Sequence, residues 1–283
     1  MNYNIINQNT LKNVYKRRDN WSHKGAFGKA LIIGGSVDYT GSPALVALAA
    51  LRCGIDVTKI IAPKRAADSA ASFSPEIISL PIDSDHLGPA AMYVIKTNAD
   101  WCNVIEIGNG LDVGKDQAEL VNTLLRNVKR RFVIDADAIK VLDRNLLGNN
   151  MLLTPNSFEF ELLFESKLSI NLDERISLVK TTAKKYDTNI LLKGHIDIIS
   201  DGEMVSINKV NSVYMTKGGT GDVLSGICTG LIGQGVKLFD AACSAAFING
   251  YTGRAIARIK REALSPLDIV ENLYSTITKW RYQ

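Results

Sequence analysis

The chain has 283 residues, of which 46% are hydrophobic and 22% charged, and its formal charge is +4. This composition fits a globular protein and excludes a disordered one, and so small a charge does not indicate a nucleic-acid partner. Cys53, Cys102, Cys228 and Cys243 lie far apart, with no C-x-x-C and no histidine at ligand spacing, so neither a structural zinc nor a disulfide framework is expected.

The first twenty residues contain no apolar run, so no secretory signal is expected, and the basic run Lys16-Arg17-Arg18 reads as a solvated face. No stretch reaches 18 apolar residues, which argues against a membrane span. A reducing cytoplasm is the expected location. The chain then alternates short apolar runs with helix-period segments. Strands are predicted over 29–33, 57–62, 77–82, 104–107, 132–134, 151–153 and 190–192. Helices are predicted over 43–52, with Ser42 as cap and Pro43 in the first turn, and over 89–97 and 115–128. Two runs, 196–199 and 204–207, flank Asp201-Gly202 and predict a hairpin. The remainder reads as helices over 220–232, 238–259 and 267–280.

Strands that are apolar throughout, separated by helices, predict one α/β domain over 1–283. Its mostly parallel sheet would be covered by helices on both faces and interrupted by the late hairpin, with 1–20 as a lead-in segment. Ligands of such sheets sit beyond the carboxyl ends of the strands. The unusual clusters lie there: Gly34-Gly35-Ser36, Gly108-Asn109-Gly110, Asp135-Ala136-Asp137, Thr154-Pro155-Asn156 and Lys193-Gly194.

Lys217-Gly218-Gly219-Thr220-Gly221-Asp222 runs straight into a helix. Its glycines let the backbone approach a ligand, and the helix start offers unpaired N–H groups to an anion. A carboxylate at such a place fits a general base that takes a proton from an attacking hydroxyl, and otherwise a helix cap. Gly108-Asn-Gly110-Leu-Asp-Val-Gly114 misses the dinucleotide pattern by one position, and no phosphate-binding G-x-x-x-x-G-K-[ST] occurs. Asn156 and Glu159 bracket a helix start. Glu159 reads either as an outer magnesium ligand or as the second half of a capping box. Lys193 either meets a phosphate or snorkels to solvent, His195 and His86 read as satisfied or exposed, and Asp135 and Asp137 read first as turn residues and second as contacts to a ribose or metal.

In this order the motifs resemble the ADP- or ATP-dependent NAD(P)H-hydrate dehydratases of the ribokinase-like superfamily. The likeness runs from about Trp21 to Trp280. It rests on His23-Lys24-Gly25-x-x-Gly28, Gly34-Gly35-Ser36, Ser74-Pro75-Glu76, Gly108-x-Gly110, Asp135-x-Asp137, Thr154-Pro155-x-x-x-Glu159, Lys193-Gly194 and Gly218-Gly219-Thr220-Gly221-Asp222. The resemblance implies repair of the hydrated S forms of NADH and NADPH: a nucleotide phosphorylates the ring hydroxyl, and phosphate then leaves. By the same resemblance, Asp222 is the base, and Gly219, Thr220 and Gly221 form the anion hole. Gly221 and Lys193, Gly194, His195, Ile196 and Asp197 hold ADP or ATP, and Ser42, Gly110 and Asn156 contact the substrate beside Asp222. Magnesium, a homo-oligomer and a separate epimerase are further implications.

Three positions depart from the family pattern. Ser42 stands where alanine is common, Asn156 where many members have histidine, and Val210-Asn211-Ser212 replaces a Gly-Asn pair. Asn156-x-x-Glu159 also matches sugar and vitamin kinases of the superfamily, which keeps a small-alcohol kinase as the alternative. A nucleotide binder without catalysis is a third reading, which an intact Asp222 disfavours.

Overall fold

The computed structural model describes residues 2–281 apart from Asn13 and Lys16, so the first member of the basic run lies outside the described residues. The strands are β1 (Asn4–Ile5), β2 (Lys29–Ile33), β3 (Val57–Pro63), β4 (Ile78–Ile82), β5 (Val104–Ile107), β6 (Arg131–Ile134), β7 (Met151–Leu153), β8 (Asn189–Leu192), β9 (Asp197–Ser200) and β10 (Val205–Asn208). They form one ten-stranded sheet in the order β1-β10-β9-β8-β7-β6-β5-β2-β3-β4. Every pairing is parallel except those of β9, which runs antiparallel to both β8 and β10. The predicted hairpin is β9–β10. Gly202 takes a φ of 94° at its turn, and Asp201 Oδ1 accepts from the amides of Glu203 and Met204.

The helices are α1 (Ser42–Arg52), α2 (Lys64–Phe73), α3 (Met92–Ala99), α4 (Lys115–Asn127), α5 (Ala136–Val141), α6 (Ser157–Phe164), α7 (Leu172–Lys185), α8 (Thr220–Gly233), α9 (Leu238–Lys260) and α10 (Pro266–Trp280). Alternate strand residues point to opposite faces, and they divide the interior into two cores. Ala30, Ile32, Val104 and Val133 meet α1, α2 and α8–α10 on one face. Leu31, Ile33, Ile105 and Ile134 meet α3–α7 on the other. Both faces are therefore covered, as the unalternating apolar strands require.

The structure differs from the sequence reading in a few places. Helix α1 starts one residue early, with Gly41 rather than Ser42 as its cap, which frees the Ser42 hydroxyl for another partner. Helices α2 and α7 carry no signal strong enough to be predicted above. The buried stripe of α2 is only Ala66, Ala67 and Ala70, and α7 is announced mainly by Asn171, whose side chain accepts from the amides of Asp173 and Glu174. The lead-in segment is woven into the body. β1 pairs parallel with β10, Leu11 is buried in the α8–α10 core, and Arg18 pairs with Asp56 at 3.0 Å. All four cysteines are free and buried, and burial pushes their thiols up. Among the described residues no helix is long and apolar enough to cross a membrane.

β2 leads through β3 to β4 on one side, whereas β5 lies on the other side of β2 and leads on to β6, β7 and β8. The chain thus changes direction between β2 and β5. The crevice beyond the carboxyl ends of these two strands is where an open α/β sheet places its ligand.

Candidate active site

Two glycine turns close that crevice from below. Gly108 takes a φ of 131°, and a side chain on it would strike the Asp135 carbonyl at 1.9 Å. The backbone can therefore turn sharply over β6 and present Asn109. The amide of Gly35, at the end of β2, donates to the Asn109 carbonyl at 2.9 Å, which joins the two strand ends. From above comes the Lys217–Asp222 loop. Gly219 caps α8 with a φ of 93°, wedged so closely against Pro266 and Leu45 that a Cβ would lie 2.8 and 2.9 Å from them. Lys217 Nζ donates to the Glu262 carbonyl, and Thr220 Oγ1 lies 2.8 Å from the carbonyls of both Met215 and Lys217. The loop is thereby tied down: the Thr220 amide turns back to the Lys217 carbonyl at 3.3 Å, and the Gly221 and Asp222 amides that follow in the first turn of α8 have no intrahelical acceptor.

Asp222 is the third residue of α8 and is not its cap. Its Oδ1 accepts from Asn109 Nδ2 at 2.6 Å, and the Ser42 hydroxyl reaches the same carboxylate. Asn109 Nδ2 also donates to Asp135 Oδ2 at 3.1 Å, and Asp135 Oδ1 accepts from Lys193 Nζ at 2.6 Å. Lys193 Nζ lies 4.0 Å from Glu159 Oε2. A polar chain thus runs Asp222–Asn109–Asp135–Lys193–Glu159 across the carboxyl ends of the sheet. Asp135 begins α5 but makes no side-chain cap bond, because its carboxylate is committed to Asn109 and Lys193.

Burial sets the charges of this cluster. It pushes the Asp222 carboxyl above the usual aspartate range, and the Asn109 and Ser42 hydrogen bonds pull it part of the way back. Burial likewise raises Glu159. For Lys193 burial works against the charge, but Asp135, Glu159 and Asp222 outweigh it and hold the ammonium above the ordinary lysine range. Beneath the cluster lies Glu106 of β5, fully buried against α8 with only a 3.4 Å contact from Ser225 Oγ. Burial, and then the nearby Asp135 and Asp222, push its carboxyl well above the glutamate range.

On the outer side of Lys193 opens a cleft of about 520 Å³, lined by Lys193, Gly194, His195, Asp197, Asn211, Lys217, Thr220 and Gly221. Asp197 is buried at its wall and accepts from the amide of Gly194 and from Asn208 and Asn211 Nδ2, so it shapes the Lys193–Asp197 loop. Burial raises this carboxyl too. The cleft therefore brings together most residues predicted for the nucleotide, with Gly221 at the point where it meets Asp222. Ile196 does not line the cleft, and packs against the α3–α7 core. Ser42 and Gly110 adjoin each other on the opposite side of Asp222, with a Cβ on Gly110 falling 3.3 Å from Ser42 Cβ.

Asn156 borders the cleft and forms a full capping box with Glu159: its Oδ1 accepts from the Glu159 amide and its own amide donates to Glu159 Oε2, at 2.9 and 2.8 Å. Among the described residues no three acidic, histidine or cysteine side chains gather as a ready metal cage. His195 is exposed in the cleft, and His86 faces Asp112 at 3.2 Å.

Sequence reasoning assigned no role to Asn109 or Glu106, and gave Asp135 a turn role first and a contact to a ribose or metal second. The signal for Glu106 was a single carboxylate inside the otherwise apolar strand Val-Ile-Glu-Ile, on a sheet covered on both faces. No such signal existed for Asn109 or Asp135, whose partners lie 113 and 58 positions away.

With a mostly parallel sheet covered by helices on both faces, a glycine turn at one helix mouth, a half-buried carboxylate in that helix's first turn and a cleft beside it, the chain has the ribokinase-like class of fold. A ribokinase-like superfamily protein from Enterococcus faecalis superposes with a TM-score of 0.88 at 21% identity, covering 99% of this chain and 97% of that one. The ADP/ATP-dependent NAD(P)H-hydrate dehydratase of Bacillus subtilis, co-crystallised with ATP and Mg2+, superposes at 0.83 with 22% identity over 99% and 100% of the two chains.

Within that class the chain belongs to the NAD(P)H-hydrate dehydratase family, whose sequence pattern matches residues 30–275. It is 37% identical over 273 residues to the bifunctional NAD(P)H-hydrate repair enzyme Nnr of Pyrobaculum aerophilum, covering 96% of this chain and 54% of that protein. It thus spans about half the length of the bifunctional relatives it matches. It is also 36% identical over 274 residues to the ADP-dependent (S)-NAD(P)H-hydrate dehydratase of Nitrosopumilus maritimus, covering 95% and 94% of the two chains.

Proposed function

We propose that this chain dehydrates the S forms of NADH and NADPH hydrate, coupled to cleavage of ADP or ATP. The observation that carries the reading is the place of Asp222: a carboxylate at the mouth of the glycine cradle, between the nucleotide cleft and the Ser42–Gly110 turn. In this reading the nucleotide lies along Lys193–Asp197 with its terminal phosphate on the amides of Gly219, Thr220 and Gly221. The substrate enters over Ser42 and Gly110, and Asn156 contacts it from the edge of the cleft. Asp222 takes the proton of the ring hydroxyl as its oxygen bonds to the terminal phosphorus and the bond to the leaving nucleotide breaks. Phosphate then departs with that oxygen while the neighbouring ring carbon gives up a proton, which restores the dihydronicotinamide.

The Glu159 carboxylate lies 4.0 Å from Lys193 and accepts from the Asn156 amide through one oxygen, a hard-oxygen group that suits magnesium held largely by water and phosphate. Bound there, the ion would neutralise phosphate charge, with Glu159 holding it through water. A homo-oligomer, a cytoplasmic location and a separate epimerase supplying the S form complete the reading.

The test mixes the protein, magnesium, ADP or ATP, and hydrated NADH. Return of NADH absorbance with nucleotide cleavage is expected. Nucleotide turnover only with an added sugar or thiazole alcohol would instead make the protein a small-alcohol kinase, and tight binding without turnover would make it a binder.

A further inference from the structure

Asn109 stands at the switch point of the sheet, 1% exposed, and its side-chain amide makes only two hydrogen bonds, both from Nδ2. One N–H goes to Asp222 Oδ1 at 2.6 Å and the other to Asp135 Oδ2 at 3.1 Å. Its Oδ1 is buried without a partner among the described residues. An unpartnered buried acceptor is costly, so the arrangement persists because both donors are needed elsewhere. The orientation of the amide follows from the same facts, since turning it over would set its oxygen against two carboxylates. The backbone is fixed as firmly. Gly35 donates to its carbonyl at 2.9 Å, and a Cβ at Gly34 would lie 2.5 Å from that oxygen.

We propose that Asn109 is the positioning residue for Asp222: it holds one carboxylate oxygen so that the other faces the substrate hydroxyl, and it separates the base from the negative charge of Asp135. This inference rests on the reading of Asp222 as the base. Without Asn109, Asp222 would face the negative charge of Asp135 with Lys193 as a nearby cation and the Ser42 hydroxyl as a donor. A carboxylate that loses its donor and keeps its like-charged neighbour ionises at higher pH. Ser42 approaches Asp222 from α1, whereas Asp135 is met by Asn109 and Lys193.

The experiment compares wild type, Asn109→Ala, Asn109→Ser and Asp222→Asn by two readouts. The first is a carboxyl-carbon NMR titration of Asp222, its signal assigned by its loss in Asp222→Asn. The second is the pH profile of ADP-dependent NADH recovery. Losing a hydrogen bond to a charged group is expected to raise the ionisation of Asp222 by about one pH unit or more in Asn109→Ala. The acidic limb of kcat/KM should move with it, and kcat should fall on the order of 10- to 100-fold with the ADP KM nearly unchanged. Asn109→Ser, which keeps one short donor, should lie between the two.

An Asp222 titration that does not move in either folded variant overturns the inference whether or not the protein turns over. A titration that moves with kcat unchanged would also overturn it, since the oriented oxygen would then not matter. Wild type without any NADH recovery defeats the functional reading instead, and the titration still decides the contact.

Discussion

Asp222 combines two features that rarely share one side chain: a place in the first turn of a helix and a carboxylate already occupied by a side chain from another element. The base role proposed for Asp222 predicts that Asp222→Asn folds and binds ADP while losing on the order of 10²–10⁴ in turnover. A rate within a few-fold of wild type would defeat the assignment. Glu106 gives a second prediction at this scale. Its folded carboxyl titrates well above the ordinary value of 4.5 because it is buried beside Asp135 and Asp222. Below the ordinary value both folded and unfolded chains carry the proton, and nothing is gained or lost. As pH rises, the unfolded chain ionises first, so stability falls progressively. Glu106→Gln removes this loss. It should raise the urea midpoint at neutral pH and barely change it in acid, and an equal effect at both pH values would contradict the buried, protonated state.

At the scale of elements, the mouth of the cradle depends on how closely α8 approaches α1. A Cβ at Gly226 would lie 2.4 Å from the Val46 carbonyl, so the helices touch backbone to backbone there. Gly226→Leu should cost at least about 1–3 kcal/mol of overpacking strain, measured by urea unfolding. Because Asp222 lies one turn before Gly226, turnover should fall by more than the stability change explains. An unchanged urea midpoint would show that α1 moves aside at little cost. That close packing places Asp222 on a helix held backbone to backbone against α1 rather than on a loop.

For the whole molecule, the lead-in segment tests whether 1–283 acts as one cooperative unit. Leu11 is fully buried among residues from α9 and α10, far away in sequence. Leu11→Ala should therefore cost about 2–5 kcal/mol as a shift of the single unfolding transition. A separate early transition would instead mark the segment as an independent appendage. Ligand linkage belongs to the same scale. ADP with magnesium at a hundredfold excess over its dissociation constant should stabilise the protein by about 2.7 kcal/mol, in wild type and Asp222→Asn alike. Thermal unfolding that ignores ADP would remove the nucleotide from the cleft.

The sequence by itself determined the architecture, because its central strands carry consecutive apolar residues rather than alternating ones and can be buried only in a sheet covered on both faces. It also determined the glycine cradle, since Gly218, Gly219 and Gly221 before an apolar helix announce a turn and an anion site within six consecutive residues. Local chemistry was legible wherever the partners lie close in sequence, as in the Asn156–Glu159 box and the Asp201-Gly202 turn. What only the tertiary structure decided was which of these residues meet. Asn109 and Asp222, or Asp135 and Lys193, are joined by strand order and helix packing, and no spacing within the chain records that order. Glu106 shows the same division. Its placement in an apolar strand was visible in sequence, but its charge state followed from α8 closing over it beside two other acids.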